Sequence, residues 1–275
     1  MMAGTLYIVA TPIGNLKDIS LRAVEALRSC EAIACEDTRH SLILLNAYEI
    51  KKPLISLHKF NEKAAAQEIV GRVKAGQNIA YISDAGMPCI SDPGLELVRT
   101  ALEEGISYTV IPGPSAFLNA LVLSGFDSSR FLFLGFLPQK KSERQRLLEN
   151  VRDLPFTLIF YCPPHDIDKD IESIYSVLGE RRFAAVKEIT KIHERVIFGK
   201  LSEGISEEIR GEYVLICEGA GEVESPLNAL TIEEHIEHYI KLGRSKMEAI
   251  KLVAKERSLP KNEVYKYTLQ DREKE

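Results

Sequence analysis

Several signatures are missing from this 275-residue chain, and each absence removes a class of protein. No GxGxxG follows the first strand pattern, and no GxxxxGK followed by Ser or Thr occurs anywhere, which argues against a dinucleotide oxidoreductase and a P-loop NTPase. No apolar run approaches the ~20 residues needed to span a bilayer. The start of the chain has no basic stretch leading into a long apolar core, so the expectation is a cytoplasmic protein without a secretory leader. Five cysteines, an odd number, show no CxxC spacing. Four of them fall in or beside apolar segments, as small buried hydrophobes do, and a zinc site is not expected. The six histidines include no HExxH; His235 and His238 lie one helical turn apart but lack companion ligands. No metal is therefore expected, and the lack of low-complexity tracts leaves little room for disorder outside the termini.

Charge is present but unevenly placed. The net formal charge is −5, yet residues 241–275 hold ten Lys/Arg against six Asp/Glu, a local +4 that leaves −9 on the rest. A basic tail on an acidic body suits a polyanionic partner, although basic helices are commonly plain solvated faces.

Strand and helix patterns alternate from the start. Short apolar strands are expected at 5–10, 32–35, 54–57, 78–83 and 108–111, with helical periodicity between them, including 18–29. That rhythm predicts an open, mainly parallel sheet covered on both faces. Pro112-Gly113-Pro114 breaks it. After a helix at 115–124, strands at 131–136, 157–161, 183–186, 196–199 and 213–217 follow in closer succession, implying antiparallel pairing. The fold class is α/β, with two α/β domains, 1–114 and 115–228, and a basic helical module at 229–275. The module reads as three helices, 231–242, 245–256 and 261–269, with a capping box at Ser245 and Glu248. The narrow face of Ala249, Ile250, Val253 and Ala254 fits either a helix-turn-helix unit or a helical lid.

The candidate site lies in strand-end loops rich in Gly, Pro and short polar residues: 11–15, 82–94 and 112–115. In open α/β sheets ligands gather at the carboxyl ends of strands. The stretch "ISDAGMPCISDPG" (82–94) carries two Ser-Asp pairs, and its aspartates would repel a polyanion. Acceptors suit a ligand with ribose hydroxyls, an ammonium and a sulfonium, as in S-adenosylmethionine. Asp84 is the expected ligand contact, whereas Asp92, ahead of Pro93-Gly94, reads as the N-cap of the next helix. Two further clusters are polar beyond structural need. In 35–40, Asp37 can be a helix cap with Arg39 paired to Glu36. In 188–195, an extended backbone would put Glu188, Thr190 and Glu194 on one face and Lys191, His193 and Arg195 on the other, as at an edge strand or a cleft rim.

These loops, in this order, resemble the RsmI family of small-subunit ribosomal RNA methyltransferases, on the tetrapyrrole-methylase-like fold. The resemblance rests on "LYIVATPIGNLKDISLRA" (6–23), "CEDTRHS" (35–41), "SLHKFNE" (56–62), "SDAGMPCISDPG" (83–94), "IPGPSAF" (111–117), "FLFLGFLP" (131–138), "EITKIHE" (188–194) and "GEYVLICEG" (211–219). It implies S-adenosylmethionine as methyl donor, a homodimer, and methylation of a cytidine 2′-hydroxyl in the decoding region of the small-subunit RNA. It also implies donor contacts at Pro12, Asp84, Gly86, Met87, Ser115, Ala116, Tyr161 and Cys162. Glu36, Asp37, Thr38, Arg39, Asn61, Glu62, Glu188, Thr190, Lys191 and Glu194 become RNA-side or catalytic residues. Of these, Glu188, Lys191, Asp37 and Arg39 are placed at the reaction, and Arg244 and Lys246 of the basic module are expected on RNA. Where the family commonly reads Tyr-Glu-x-Pro-His-Arg, this chain has Tyr161-Cys162-Pro163-Pro164-His165-Asp166. Two alternatives stay open: another substrate on the same fold, such as a precorrin-type tetrapyrrole or a protein side chain, and a non-catalytic RNA-binding assembly factor.

Overall fold

The computed structural model describes residues 3–206, 209–221, 227, 230–257 and 259–267. The chain divides into two compact units, Met1–Gly219 and Ala220–Glu275.

The first unit holds two five-stranded sheets. β1 (Leu6–Val9), β2 (Ala32–Cys35), β3 (Leu54–Ser56), β4 (Ile79–Ile82) and β5 (Tyr108–Ile111) form a wholly parallel sheet in the order β3-β2-β4-β1-β5. Its strands are short apolar runs because both faces are covered. On one face Leu6, Ile8, Ile79 and Tyr81 pack against Ile69 and Val73 of α3 (Glu62–Lys74) and Leu97 and Ala101 of α4 (Leu95–Glu103). The alternate residues Val9, Ile33, Ala80 and Ile82 meet Val24 and Leu27 of α1 (Leu21–Ser29) and Leu45 of α2 (Thr38–Ala47). The expected 18–29 helix is shorter than its periodicity suggests. A 3₁₀ turn, Leu16–Asp18, comes first, and the Ser20 hydroxyl accepts from Ala23 N to start α1 afresh.

The second sheet is mixed, in the order β6-β7-β10-β8-β9. It contains β6 (Phe131–Phe136), β7 (Thr157–Cys162), β8 (Arg182–Lys187), β9 (Arg195–Lys200) and β10 (Tyr213–Cys217); only β6 and β7 run parallel. The expected antiparallel pairing is therefore present. α5 (Ala116–Ser124) covers one face through Ala120 and Leu121, while α6 (Lys141–Val151) and α7 (Ile167–Leu178) cover the other. Between α6 and α7 the buried Arg144 guanidinium stands 3.5 Å from Asp170 and donates to Gln139 O at 3.1 Å.

The second unit contains α8 (Ile232–Lys241), α9 (Lys246–Glu256) and α10 (Lys261–Tyr267), around Ile236, Ala249, Ile250, Val253, Ala254 and Val264. The small-residue face is thus that unit's own core. The capping box of Ser245 and Glu248 is formed, and Thr231 with Glu234 makes a second one for α8. The last two residues of the helix expected at 261–269, and the expected domain border at 228/229, lie outside the described residues. His235 is fully buried: its Nε2 meets Glu256 at 2.9 Å and its Nδ1 accepts from Arg257 Nε at 3.1 Å. It is a structural histidine. Among the described residues no group of three or more His, Cys, Asp or Glu could hold a metal, and no helix is long and apolar enough to cross a membrane.

Candidate donor cavity and its rim

The loops following β4, β1 and β5, three adjacent strands, converge at the carboxyl edge of the parallel sheet, where a parallel sheet places its ligands. Two backbone hydrogen bonds between Thr11 and Gly86, 2.8 and 3.1 Å, tie the β1 loop to the β4 loop. A cavity of about 430 Å³ opens beside them. From the loops of the first sheet it is lined by Ile13, the stretch from Ala85 to Met87, Ile90, Ser91 and Asp92; from the start of α5 by Ser115, Ala116 and Phe117; and from the second sheet by Phe136, residues 161–164, Ile189 and Glu212 to Val214. A bulge between Phe133 and Gly135, the latter at φ +63°, lies just ahead of Phe136, and bulges re-aim the side chains that follow them. The Phe136 ring lies 5.3 Å from that of Tyr161.

Six of the eight expected donor residues line this cavity together: Gly86, Met87, Ser115, Ala116, Tyr161 and Cys162. Pro12 and Asp84 line a smaller neighbouring cavity of about 60 Å³ with Ser83 and His40. There the Asp84 carboxylate accepts from the Asp37 N–H at 3.2 Å.

One aspartate of the opening motif departs from the sequence reading. Asp92 is not the cap of α4. That helix begins at Gly94, and its free N–H groups are taken by Glu62 Oε1, at 2.8 Å from Gly94 N and 3.0 Å from Glu96 N. A carboxylate from another helix does the capping, which spacing along the chain cannot reveal. Gly94 has φ +114°, and a Cβ there would run into the Tyr81 ring, whose hydroxyl donates to Pro93 O at 2.6 Å. Asp92 instead lines the cavity. Burial, with the carboxylates of Glu36 and Asp84 nearby, pushes its carboxyl up to about 7. Burial likewise raises Glu36.

Asp37 does cap its helix: its carboxylate accepts from Arg39 N at 2.8 Å. Arg39 pairs with Asp37, 2.9 Å, rather than with Glu36, and is largely exposed. The Arg39 guanidinium and N–H hold the Asp37 carboxyl at about 2. Thr38 is the first residue of α2. Asn61 and Glu62 are both engaged by the protein. Asn61 accepts from His58 N at 2.8 Å and donates to Ser56 O at 2.9 Å.

The 188–194 segment is not extended. It is the turn joining β8 to β9, with Glu188 at φ +49° and Thr190 at φ +67°. Such left-handed backbone at non-glycine residues is held only by its surroundings and gathers at functional sites. Glu188 Oε1 accepts from Glu212 N at 2.8 Å and from Lys191 Nζ at 3.2 Å; Lys191 reaches Glu212 at 2.7 Å; Glu194 accepts from Thr190 N at 2.6 Å. Burial works against both charges, but the Glu212 N–H and the lysine outweigh it at Glu188, which is held below its ordinary range. Glu212 and Glu188 outweigh it at Lys191, which is held above. The turn packs on the β1 loop so tightly that a Cβ on Gly14 would lie 2.8 Å from Lys191 Cγ and Thr190 Oγ1.

The departure from the family pattern is absorbed locally. Cys162 is buried, and burial pushes its thiol well up, with Asp170 adding to the effect; it is an inert small side chain. Asp166 accepts from Gln139 at 3.1 Å, which holds it below its ordinary range. Arg244 and Lys246 sit exposed at the α8–α9 junction.

The lining also tests which ligand class fits. Among the described residues that line it, the ionisable acids and bases besides Tyr and Cys are Asp92 and Glu212, both acidic, and neither would neutralise a phosphate. Aromatic walls, approachable backbone and a carboxylate suit an adenosine-bearing cation. S-adenosylmethionine fits these residues. Sequence reasoning missed Asp92, Phe136 and Glu212 as lining residues, although all three lie inside or beside the motifs it singled out.

Known proteins agree with this description. The family model for tetrapyrrole (corrin/porphyrin) methylases matches residues 5–204. Ribosomal RNA small subunit methyltransferase I of Halalkalibacterium halodurans is 42% identical over 270 residues, covering 95% of this chain and 93% of that protein. Its namesake in Escherichia coli O157:H7 is 41% identical over 276 residues, covering 97% and 95%. Among solved structures, the methyltransferase CobJ superposes with a TM-score of 0.63 at 16% identity, covering 79% of this chain and 95% of that one. A Thermus thermophilus uroporphyrin-III C-methyltransferase complexed with S-adenosylhomocysteine superposes at 0.58 and 18%, covering 78% and 97%; at such identities the likeness is one of fold. The chain is a tetrapyrrole-methylase-fold protein and belongs to the family of ribosomal RNA small subunit methyltransferase I.

Proposed function

We propose that the cavity takes S-adenosylmethionine and that the chain methylates small-subunit ribosomal RNA, at the 2′-hydroxyl of a cytidine in the decoding region. The observation carrying this reading is the convergence of six motif residues with Asp92 on one cavity whose described lining holds no Lys or Arg, in a chain whose relatives, matched along nearly their whole length, are named ribosomal RNA small subunit methyltransferase I.

When bound, the donor supplies an electrophilic methyl group on a sulfonium. The chain's own part is to bind, orient and manage charge. Asp92 offers its carboxylate to the cation, while Phe136 and Tyr161 keep water from that wall of the cavity. Ile189 and Glu212 carry the lining up to the strained turn, so Glu188 and Lys191 are assigned to the acceptor ribose. Lys191, held as an ammonium by two carboxylates, orients the ribose and neutralises oxygen charge; the Glu188 carboxylate, ionised by the same contacts, is assigned to accept a hydrogen bond from the hydroxyl. Asp37 and Arg39 are assigned to the same face, with Arg39 on a phosphate. Holding two reactants in line supplies much of such an acceleration.

The sheets are assigned to domains 1–114 and 115–228, and the module at 229–275 to RNA docking through Arg244 and Lys246, in a cytoplasmic protein. A second copy is assigned to α5 and the β5 edge, where Val122 is 77% and Val110 47% exposed. Mapping 2′-O-methylation of small-subunit RNA from cells lacking the protein tests the reading: one cytidine should lose its methyl group. An unchanged RNA, or no binding of S-adenosylhomocysteine by calorimetry, would refute it. Truncation after Leu230 should weaken small-subunit binding and flatten its salt slope.

A further inference from the structure

The 57–61 loop joining β3 to α3 presents Phe60 almost wholly to solvent, 94% exposed. No other Phe or Tyr side chain among the described residues is as exposed. The loop is not loose around it. Asn61 closes it by accepting from His58 N and donating to Ser56 O, and Phe60 N donates to His58 Nδ1 at 3.3 Å. The His58 ring meets the phenyl edge-on, with centroids 6.1 Å apart. Glu62, the next residue, reaches across to Gly94 N and Glu96 N. It thereby fastens this loop to the base of the 83–94 loop, whose other part lines the donor cavity.

Phe60 shares a shallow, open concavity with Lys59 and Lys63; its acids are Glu62, spent on the α4 backbone, and Glu96. Two lysines around an exposed, pre-oriented aromatic ring match an unpaired nucleotide, whose base stacks on the ring while its phosphates meet the cations. We propose that Phe60 is a stacking platform for an unpaired base of the RNA substrate, flanked by Lys59 and Lys63 on the backbone, and that Asn61 and Glu62 position it rather than touch RNA. The inference rests on the substrate reading above and adds to it a specificity residue outside the donor cavity.

The test is steady-state methylation of small subunits by Phe60→Ala, Phe60→Leu and Phe60→Tyr proteins, with S-adenosylhomocysteine calorimetry as a control on the fold and cavity. Stacking on an aromatic side chain implies that Ala and Leu raise KM for the subunit by roughly 5- to 100-fold. Tyr should keep the wild-type KM, and kcat and donor affinity should stay unchanged in all three. A wild-type KM in Phe60→Ala, or a Leu protein equal to wild type, would overturn the platform while the substrate reading stands. If the wild-type protein itself transfers no methyl group to subunits, that reading fails and the platform falls with it.

Discussion

Asp92 provides a sharp test because its protonation should be visible in donor binding. With its carboxyl pushed up to about 7 by burial and by Glu36 and Asp84, it changes charge within the working range. A pKa near 7 implies ionisation of about a tenth of the molecules at pH 6 and about three quarters at pH 7.5. If the ionised form holds the donor's cation, affinity should rise about eightfold across that interval from this carboxyl alone. The sign follows from linkage: a cation favours the carboxylate, so binding lowers this pKa and releases protons between pH 6 and 7. Calorimetry with S-adenosylmethionine in two buffers of different ionisation enthalpy reads both the affinity and the proton count. Asp92→Asn should bind weakly at every pH, without slope or proton release. A flat wild-type profile, or an Asn protein that binds like wild type at pH 7.5, would refute the assignment. The same sign bears on stability. Keeping this carboxylate charged disfavours the ligand-free fold as pH rises through 7, so added donor should raise the melting temperature more at pH 7.5 than at pH 6.

Three further outcomes follow from the geometry. Gly14→Ala puts a methyl group 2.8 Å from Lys191 Cγ and Thr190 Oγ1, so the turn must shift; methyl transfer should fall by about tenfold or more with donor affinity nearly kept, measured in single turnover. Arg144→Ala leaves Asp170 buried without its cation and should cost about 3 kcal/mol at pH 7. Since burial already pushes Asp170 up to about 6, that cost should shrink near pH 5, where the group is neutral, in urea unfolding at the two pH values. Burial holds His235 below its ordinary range, so its contribution is complete above the unfolded value of about 6.5 and is lost as pH falls through it. Hydrogen exchange of α8 and α9 in the full chain should therefore quicken between pH 7 and 5, after correction for intrinsic rates, and His235→Gln should remove most of that change.

What the sequence settled was local. Alternating short apolar runs dictated the strands because a sheet covered on both faces needs both residues of each pair apolar, as Ala80 and Tyr81 are. The Ser245–Glu248 box and the helix start at Asp37 were legible because capping acts across two or three residues. Motif order carried the family and the loops that line the cavity. What the tertiary structure decided was which polar groups meet across the chain. Glu62 caps a helix more than thirty residues away, and this frees Asp92, the residue whose local setting most resembles a cap, to face the cavity. Asp84 meets the Asp37 N–H, and Glu188 and Lys191 meet Glu212, through contacts that no periodicity encodes. A side chain's type fixes what it can bond, but only packing decides which donors remain for it once the backbone's own demands are met.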